Sequence, residues 1–314
     1  MHEEGLRHRR RRARIARAGW WRRRCAGAAA SVLLILIGVA PAAGTGGPVG
    51  ASSNATSIRF LGSGTGEADR VTIRVAEPST RADLSWSFTV EWWMRAWRSA
   101  NSTGEPSCGP GVYGWIAGHV IVDRDRWPTA GTDGRDFGVS VGRSGRLAFG
   151  LANEDGQART VCTTGVDVLD GRWHHVAVQR RNRSLEIWVD GVRRASAEGP
   201  AGSVRYPTSG FTPRRWDPYL VLGAEKHDAG PAFPSYAGRM DELRVSIGTR
   251  YTATFTPARR PHRVDDRTVL LFHFDAAREG KCTTSVRDAA GVRDGVCRFG
   301  GRGGPRFVAD SPFG

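Results

Sequence analysis

The sequence predicts an all-β fold, a sandwich of two antiparallel sheets that follows an N-terminal signal or anchor helix. From about residue 58 onward, apolar and polar residues alternate with a period of two in nearly every segment, as they do in half-buried strands. Turns rich in Gly, Pro and Asp separate these segments at intervals of about eight to twelve residues, which is typical of two-sheet proteins. Beyond the linker, no run of about ten or more residues has the 3.6-residue period of a capped helix.

The first long strand is predicted at residues 86–96, WSFTVEWWMRA. Successive strand side chains point to opposite faces, so its alternate apolar residues share one face, which we expect to enter the core. The opposite face is polar except for Trp93. The residues of the apolar face are Trp86, Phe88, Val90, Trp92 and Met94.

Residues 170–191, DGRWHHVAVQRRNRSLEIWVDG, contain two adjacent histidines. Both halves of this segment alternate and the RNRS turn joins them, so the segment predicts an antiparallel hairpin. His174 and His175 then point to opposite faces of the hairpin. Neighbouring strand residues cannot bind one metal ion through both side chains without a bulge. We therefore do not predict a metal site here, and we interpret His175 as a structural histidine.

Further strands follow the same alternation. DFGVSVG and GRLAFGL lie on either side of a tight RSG turn and predict a second hairpin. YLVLGA, LRVSIG and TVLLFHFD predict single strands later in the chain. In LRVSIG the residues Leu243, Val245 and Ile247 alternate as a buried face, and Asp241 falls on the same face by the two-residue period.

The N-terminal segment has the features of an export signal. Residues 1–24 hold ten arginines, the apolar stretch Ala28–Ala40 follows, and Ala40-Pro41-Ala42 fits the small-x-small pattern of a cleavage site. The apolar stretch is short for a membrane span of about 20 residues. Cleavage is favoured, and an uncleaved anchor from Cys25 to Ala43 is the alternative. Positive residues stay in the cytoplasm, so either case predicts a secreted or cell-surface protein.

This divides the chain into three parts. Residues 1–43 form the cytoplasmic basic run with the signal peptide or membrane anchor. Residues 44–57, rich in Gly, Ser, Ala and Pro, form a flexible linker. Residues 58–314 form the sandwich domain.

The formal net charge of +15 raises the question of a nucleic-acid partner. Much of that charge lies among the ten arginines of residues 1–24. The remaining basic residues are nearly all arginine, with Lys226 and Lys281 the two lysines. This bias is typical of a GC-rich coding sequence rather than of a selected basic patch. We predict no nucleic-acid partner, and contact with a membrane only through an uncleaved leader.

The cysteines agree with export. Cys25 lies in the leader, and four cysteines remain, an even number as expected in an oxidising compartment. Four cysteines allow three pairings. Cys282 and Cys297 close a short local loop and are the natural pair, which leaves Cys108 with Cys162. A zinc site is disfavoured because the sequence has no CxxC pair.

The hairpin at residues 170–191 closely resembles the strand pair of laminin-G-like jelly-roll domains, which belong to the concanavalin A-like lectin/glucanase superfold. FTVEWWMRA resembles the early core strand of that family, and the segment from IVDRDRW to GRLAFGLAN resembles its central strand, loop and hairpin. GRMDELRVSIGTRYTATFTP resembles the late strand and the turn after it, and LLFHFD the penultimate segment. The resemblance runs from about Ile58 to Phe313.

The resemblance implies an extracellular recognition module that binds glycans or proteins, often with calcium. The calcium loops of pentraxins, which share the architecture, resemble GRD with Asp136 and LGAEKHD with Glu225 and Asp228. The sequence separately offers Asp123 and Asp125 just upstream. Calcium takes six to eight oxygen ligands, so two acidic loops at one edge of the sandwich would suit it. Phe137 and His227 depart from the pentraxin pattern, and the alternative is that these acids are solvated loop charges paired with arginines.

Three other residues are candidates for ligand or structural roles. Trp93 and Trp188 lie on polar strand faces, where they could stack on sugar rings or be covered by a loop. Asp241 is expected to be partly buried, as a structural acid or as a ligand of a second, structural calcium.

Catalysis is not expected. Glycanases of this superfold carry the pattern E-x-D-x-x-E, which the sequence lacks, and Glu186 and Asp190 are too far apart along one strand to act together. The predicted function is an exported, non-catalytic module that binds glycan or another extracellular ligand through loops at the sandwich rim, with calcium as the candidate cofactor. The alternative is an adhesive or structural surface protein that binds another protein. A glycan-degrading enzyme of the same superfold is the lesser alternative.

Overall fold

A computed structural model describes residues 56–63, 69–75, 84–111, 113–126, 134–205, 219–299 and 303–314. These residues belong to one unit, residues 50–314. The leader, with its predicted helix, and all but the end of the predicted linker fall outside the described residues. Within the described ranges no helix is long and apolar enough to cross a membrane.

Sheet A has nine strands in the described part of the chain, all paired antiparallel. Its strands are β1 (Ser57–Leu61), β3 (Ser87–Trp97), β9 (Asp170–Arg181), β10 (Ser184–Val189), β11 (Val192–Glu198), β13 (Ala237–Ile247), β14 (Thr268–Phe272), β15 (Gly280–Lys281) and β18 (Arg306–Val308). The order across the sheet is β11-β10-β9-β3-β13-β1-β18-β15, with β14 also paired to β13.

Sheet B also has nine strands among the described residues. They are β2 (Arg70–Arg74), β4 (Gly109–Pro110), β5 (His119–Asp123), β6 (Asp136–Val141), β7 (Leu147–Ala152), β8 (Ala158–Cys162), β12 (Tyr219–Leu222), β16 (Ser285–Val286) and β17 (Gly295–Arg298). Their order is β16-β17-β2-β12-β5-β6-β7-β8-β4. Two short 3₁₀ helices, Arg98–Ala100 and Gly114–Ala117, lie in connections.

The two sheets pack face to face, which confirms the predicted all-β sandwich. Phe88 of sheet A and Phe137 of sheet B meet at the centre of the core, with ring centroids 4.8 Å apart. The predicted strand at residues 86–96 is β3, and the histidine-bearing hairpin is β9 and β10. The second predicted hairpin is β6 and β7, paired from Asp136 to Val141. Alternation alone therefore located the principal strands of both sheets.

A β-bulge in β13 corrects one predicted strand face. The pairing of β13 with β3 shifts between Asp241 and Arg244, and Glu242 takes a left-handed backbone conformation with φ 52°. The extra residue places Asp241 opposite Trp93 on the outer face, whereas Leu243 lies in the core. Asp241 therefore does not share a face with Leu243, because a bulge breaks the two-residue period on which that prediction relied.

Both predicted disulfides are present. Cys108 pairs with Cys162 and Cys282 pairs with Cys297, each with 5.9 Å between the Cα atoms. The first bridge links Cys108, the residue before β4, to the last residue of β8. The second bridge closes the local loop that leads into β17.

Candidate functional site

An acidic cluster lies at one edge of sheet B, where three chain segments meet. β5 ends at Asp123 and pairs with both β6 and β12. Asp136 begins β6, and the loop after β12 carries Glu225. We call Asp123, Asp125, Asp136 and Glu225 the rim cluster. The fold thus brings together four of the five predicted calcium ligands.

Backbone hydrogen bonds hold the rim cluster in place. Asp123 Oδ1 accepts from the N–H of Asp125 at 2.6 Å, and Asp123 Oδ2 accepts from the N–H of Lys226 at 2.7 Å. Glu225 Oε1 accepts from the N–H of His227 at 2.9 Å. The two loops are therefore tied to each other through the carboxylate of Asp123.

Asp228, the fifth predicted ligand, lies beside the cluster. Its backbone N–H donates to Glu225 Oε2, and the residue itself is exposed. The described structure thus gives Asp228 a backbone contact with Glu225 and leaves its side chain at the surface.

Burial raises the cost of ionising the carboxylates of the rim cluster. Asp123 is 0% exposed and Asp136 is 4% exposed. Burial, together with the charge of Asp125, raises the pKa of Asp123 well above its usual range and that of Asp136 to about 8. Burial and the charge of Asp125 also raise the pKa of Glu225. Asp123 and Asp136 are therefore not solvated loop charges, which was the alternative interpretation.

The donor set of the rim cluster fits a divalent cation. Oδ1 of Asp136 is buried and has no hydrogen-bond partner among the described residues, and a buried carboxylate oxygen calls for a donor or a cation. Single ligand atoms of Asp125, Glu225 and His227 lie within 4.8 Å of one another. These carboxylates could supply the oxygens that calcium prefers.

Two side chains distinguish this cluster from an all-oxygen cation site. His227 Nδ1 lies 2.7 Å from Asp125 Oδ1. The ammonium of Lys226 donates to the carbonyl oxygen of Asp125 and is buried with the cluster. A bound cation would therefore share its carboxylates with an ammonium and an imidazole.

The tryptophans predicted to stack on sugars are covered, so that assignment is corrected. Trp188 is 1% exposed and packs against Tyr251 and Phe255, each with 6.1 Å between ring centroids. Trp93 is 7% exposed and meets Phe313 edge-on at 5.8 Å. Sugar stacking needs an open ring face. The segments that cover both rings come from far along the chain, which the strand pattern could not reveal.

The covering segment between β13 and β14, residues 249–266, is held by a buried polar hub at Glu91. We call this segment the cover loop. Glu91 Oε1 accepts from Arg244 Nε at 2.8 Å, and Oε2 lies 3.2 Å from His175 Nε2 and accepts from the hydroxyl of Tyr251. Burial alone would raise the pKa of Glu91, but the hydrogen bond with His175 and the charges of His262 and Arg244 hold it well below its usual range. His175 is thus built into the packing beneath the loop.

The same hub has the spacing of a metal site but an unfavourable charge. Ligand atoms of Glu91, His175 and His262 lie within 4.8 Å of one another. Arg244 and Arg250, however, lie 2.8 Å and 3.5 Å from Glu91 Oε1 and bring two positive charges. A buried metal cation would add to them in a poorly screened environment. We interpret the hub as structural. The one sequence signal for it was an acid inside the apolar strand β3.

The two histidines point to opposite faces, as predicted. His174 lies between two carboxylates, with Nδ1 2.7 Å from Asp190 Oδ2 and Nε2 3.0 Å from Asp170 Oδ1. Burial lowers the pKa of His174, but the hydrogen bonds with Asp190 and Asp170 raise it by more. The net shift of the pKa is therefore upward. This arrangement ties both ends of the hairpin together.

Asp241 is fully buried beneath the outer face of β13. Its Oδ1 accepts from the N–H of Glu242 at 2.8 Å. Burial and the neighbouring charge of Glu242 raise its pKa to about 9, so Asp241 keeps its proton at neutral pH. The hydrogen bond with the N–H of Glu242 is one that a structural acid makes, and a second calcium at Asp241 stays a prediction.

Three solved structures are similar to parts of this chain. A Bacteroides ovatus protein, provisionally described as carbohydrate binding, is 15% identical over 81% of this chain and 60% of its own, with a TM-score of 0.47. Domains LG4-5 of the mouse laminin α1 chain are 16% identical over 61% and 40%, with a TM-score of 0.40. The heptameric SAP-like pentraxin of Limulus polyphemus is 14% identical over 61% and 76%, with a TM-score of 0.35. The chain spans less than two thirds of the first two proteins.

A search of the curated proteins found no match. The profile of the Laminin_G_3 family, described as concanavalin A-like lectin/glucanases superfamily, matches residues 65–251. This match covers more than half of the chain and confirms the resemblance seen in the hairpin and MDELRVS segments. The chain therefore belongs to the concanavalin A-like lectin/glucanases superfamily, as a laminin-G-like jelly roll.

Proposed function

We propose that the protein is an exported, non-catalytic recognition module that binds a glycan at the rim cluster, with calcium bridging the carboxylates and the sugar hydroxyls. The observation that carries the proposal is the burial of Asp123, Asp136 and Glu225 at one sheet edge with raised pKa values. A divalent cation would stabilise the ionised carboxylates and leave ligand positions for hydroxyl oxygens.

Export and lack of catalysis have separate support. Two disulfides are typical of proteins that fold in an oxidising compartment, and the leader has the features of an export signal. The sequence lacks the E-x-D-x-x-E pattern of the glycanases. Glu186, an acid of the opening hairpin, is buried and accepts hydrogen bonds from Gln179 and Trp188, which hold it in a packing role.

Glycan binding by the full-length protein, measured on a panel of neutral and acidic oligosaccharides, tests the proposal. Binding should require millimolar calcium, and Asp136→Asn should abolish it while keeping the side-chain shape. Glu198→Gln is the matched control, because it removes an exposed carboxylate that pairs with Arg183 at the surface.

Binding that survives a chelator and Asp136→Asn would overturn calcium-assisted recognition at the rim. Binding to no glycan, together with calcium-independent capture of a protein ligand, would favour the adhesive alternative.

A further inference from the structure

A row of five basic residues crosses the outer face of sheet A at one level. The pairing registers align Lys281 with Arg306, Arg306 with Arg59, Arg59 with Arg239, and Arg239 with Arg95. Each of five adjacent strands, β15, β18, β1, β13 and β3, contributes one cation. We call this row the basic ladder.

The residues next to the ladder residues in sequence show that the ladder side chains point away from the core. Ile58, Met240 and Met94 alternate with ladder residues and are 0% exposed in the core. Side chains of directly opposed residues share a face and lie about 4.5–5.5 Å apart at Cβ. With strands about 4.8 Å apart, the ladder presents a line of positive charge about 19 Å long.

This arrangement carries a cost that a ligand could offset. Like charges placed directly opposite across strands repel each other and destabilise a sheet. Burial lowers the pKa of Arg239, and the neighbouring charges of Arg95 and Arg59 lower it further. Asp310 from the C-terminal segment pairs with Arg95 and Arg239 at one end of the row. This carboxylate shows that the ladder geometry accommodates an anion.

The other end of the ladder is open. Arg59, Arg306 and Lys281 are exposed, and none of them forms an ion pair with another described residue. Three cations in a row, each on a separate strand, are therefore left facing solvent.

An exposed indole lies beside the ladder. Trp97, two residues after Arg95 on the same strand, is 36% exposed, and the guanidinium carbons of Arg95 and Arg239 lie 5.2 Å and 5.3 Å from its ring centroid. Trp97 and Arg59 both line a cavity of about 350 Å³. An aromatic face beside cations suits a sugar ring that carries an anionic group.

We propose that the basic ladder and Trp97 form a second binding site, which holds an extended acidic polysaccharide across the strands of sheet A. Carboxylate or sulfate groups pair with Arg59, Arg306 and Lys281, and one sugar ring packs on Trp97. This site is separate from the calcium-assisted rim cluster, which belongs to sheet B. It does not depend on the function proposed there.

An acidic polysaccharide fits this face better than a nucleic acid. The disulfides indicate an oxidising compartment, where acidic glycans are available as polyanions. Proteins that bind single-stranded nucleic acid combine a charged groove with several aromatic side chains for successive bases. The described ladder has a single exposed indole at its flank.

The test measures binding of the full-length chain to heparin, polygalacturonate, uncharged dextran and single-stranded DNA. A chelator is present throughout, so that calcium-dependent binding at the rim cluster cannot contribute. All proteins carry glutamine for the ten arginines of residues 1–24, so that this run cannot contribute. Arg59→Gln with Arg306→Gln is the ladder variant. Arg183→Gln with Arg194→Gln is the control, because it removes the same charge from two exposed positions away from the ladder, one in the β9–β10 turn and one on β11.

The parent should bind heparin or polygalacturonate and not dextran, with affinity that falls as salt rises. The ladder variant should lose at least about ten-fold in affinity, and the control less than about two-fold. Equal losses in the two variants, or no loss in the ladder variant, would overturn the site. Tighter binding of DNA than of either acidic polysaccharide would overturn the ligand class.

Discussion

Nε2 of His175 lies 3.2 Å from Oε2 of Glu91, on the outer face of sheet A beneath the cover loop. Glu91 is 0% exposed and joins β3 to the loop through Tyr251. His175 also meets the rings of Tyr251 and Phe255 edge-on. A segment with little regular structure is thereby fixed to the sheet through one carboxylate.

Glu91→Gln should destabilise the protein by about 3–5 kcal/mol, because it leaves the charges of Arg244 and Arg250 buried beside a neutral amide. Guanidinium unfolding with the disulfides intact measures the change. Glu198→Gln, an exposed position, should change stability by less than about 0.5 kcal/mol. A loss below about 1 kcal/mol for Glu91→Gln would mean that the hub does not hold the cover loop.

The raised pKa of Asp136 predicts a pH dependence of stability. When a chelator keeps calcium away from the rim cluster, the free energy of unfolding should fall as the pH rises. Asp136 ionises near pH 8 when folded and near its ordinary value of 3.8 when unfolded. Between these values the folded state binds more protons, so the free energy of unfolding decreases with rising pH. Asp136→Asn should flatten this decrease in urea melts at pH 5, 6, 7 and 8.

His262 contributes to the pH dependence of stability with the opposite sign. Burial lowers the pKa of His262 to about 3, which gives a loss of stability on acidification and hence the opposite slope. This contribution is common to the parent and to Asp136→Asn, and cancels in the difference. Identical pH profiles for the two proteins would show that Asp136 is ionised without a cation.

The two disulfides should differ in their contributions. A closed loop of 15 residues, as between Cys282 and Cys297, contributes about 3 kcal/mol in the chain-entropy account, and one of 54 residues, as between Cys108 and Cys162, roughly 4 kcal/mol. Each pair is replaced by alanine and unfolded in urea. A larger loss from the short loop would mean that local packing, not chain entropy, sets the contribution.

The sequence allowed most of the fold to be predicted because alternation is a local property. β3, the β9–β10 hairpin and the β6–β7 hairpin follow directly from the two-residue period. The period failed at Asp241, where the bulge at Glu242 inserts one residue without any change in composition. A bulge of this kind depends on tertiary pairing, which residue patterns do not record.

The candidate sites were harder to predict from the sequence, because their residues come together from distant parts of the chain. Family resemblance marked Asp136 and Glu225, and the sequence separately offered Asp123 and Asp125. The insertion of Lys226 into the cluster was not foreseen. The covering of Trp188 by Phe255 depends on a loop far along the chain. The basic ladder shows most clearly what the residue pattern could not reveal. Only the pairing register of β1 with β13 places Arg59 opposite Arg239.

Calcium binding to the folded state tests the central claim most directly. Thermal unfolding of the full-length protein is followed in excess calcium and in chelator, with Asp136→Asn in parallel. A ligand at about 100 times its Kd stabilises the folded state by about 2.7 kcal/mol, so the parent should gain several degrees in Tm and Asp136→Asn should gain little. An unchanged Tm for the parent at millimolar calcium would contradict the assignment of the rim cluster as a cation site.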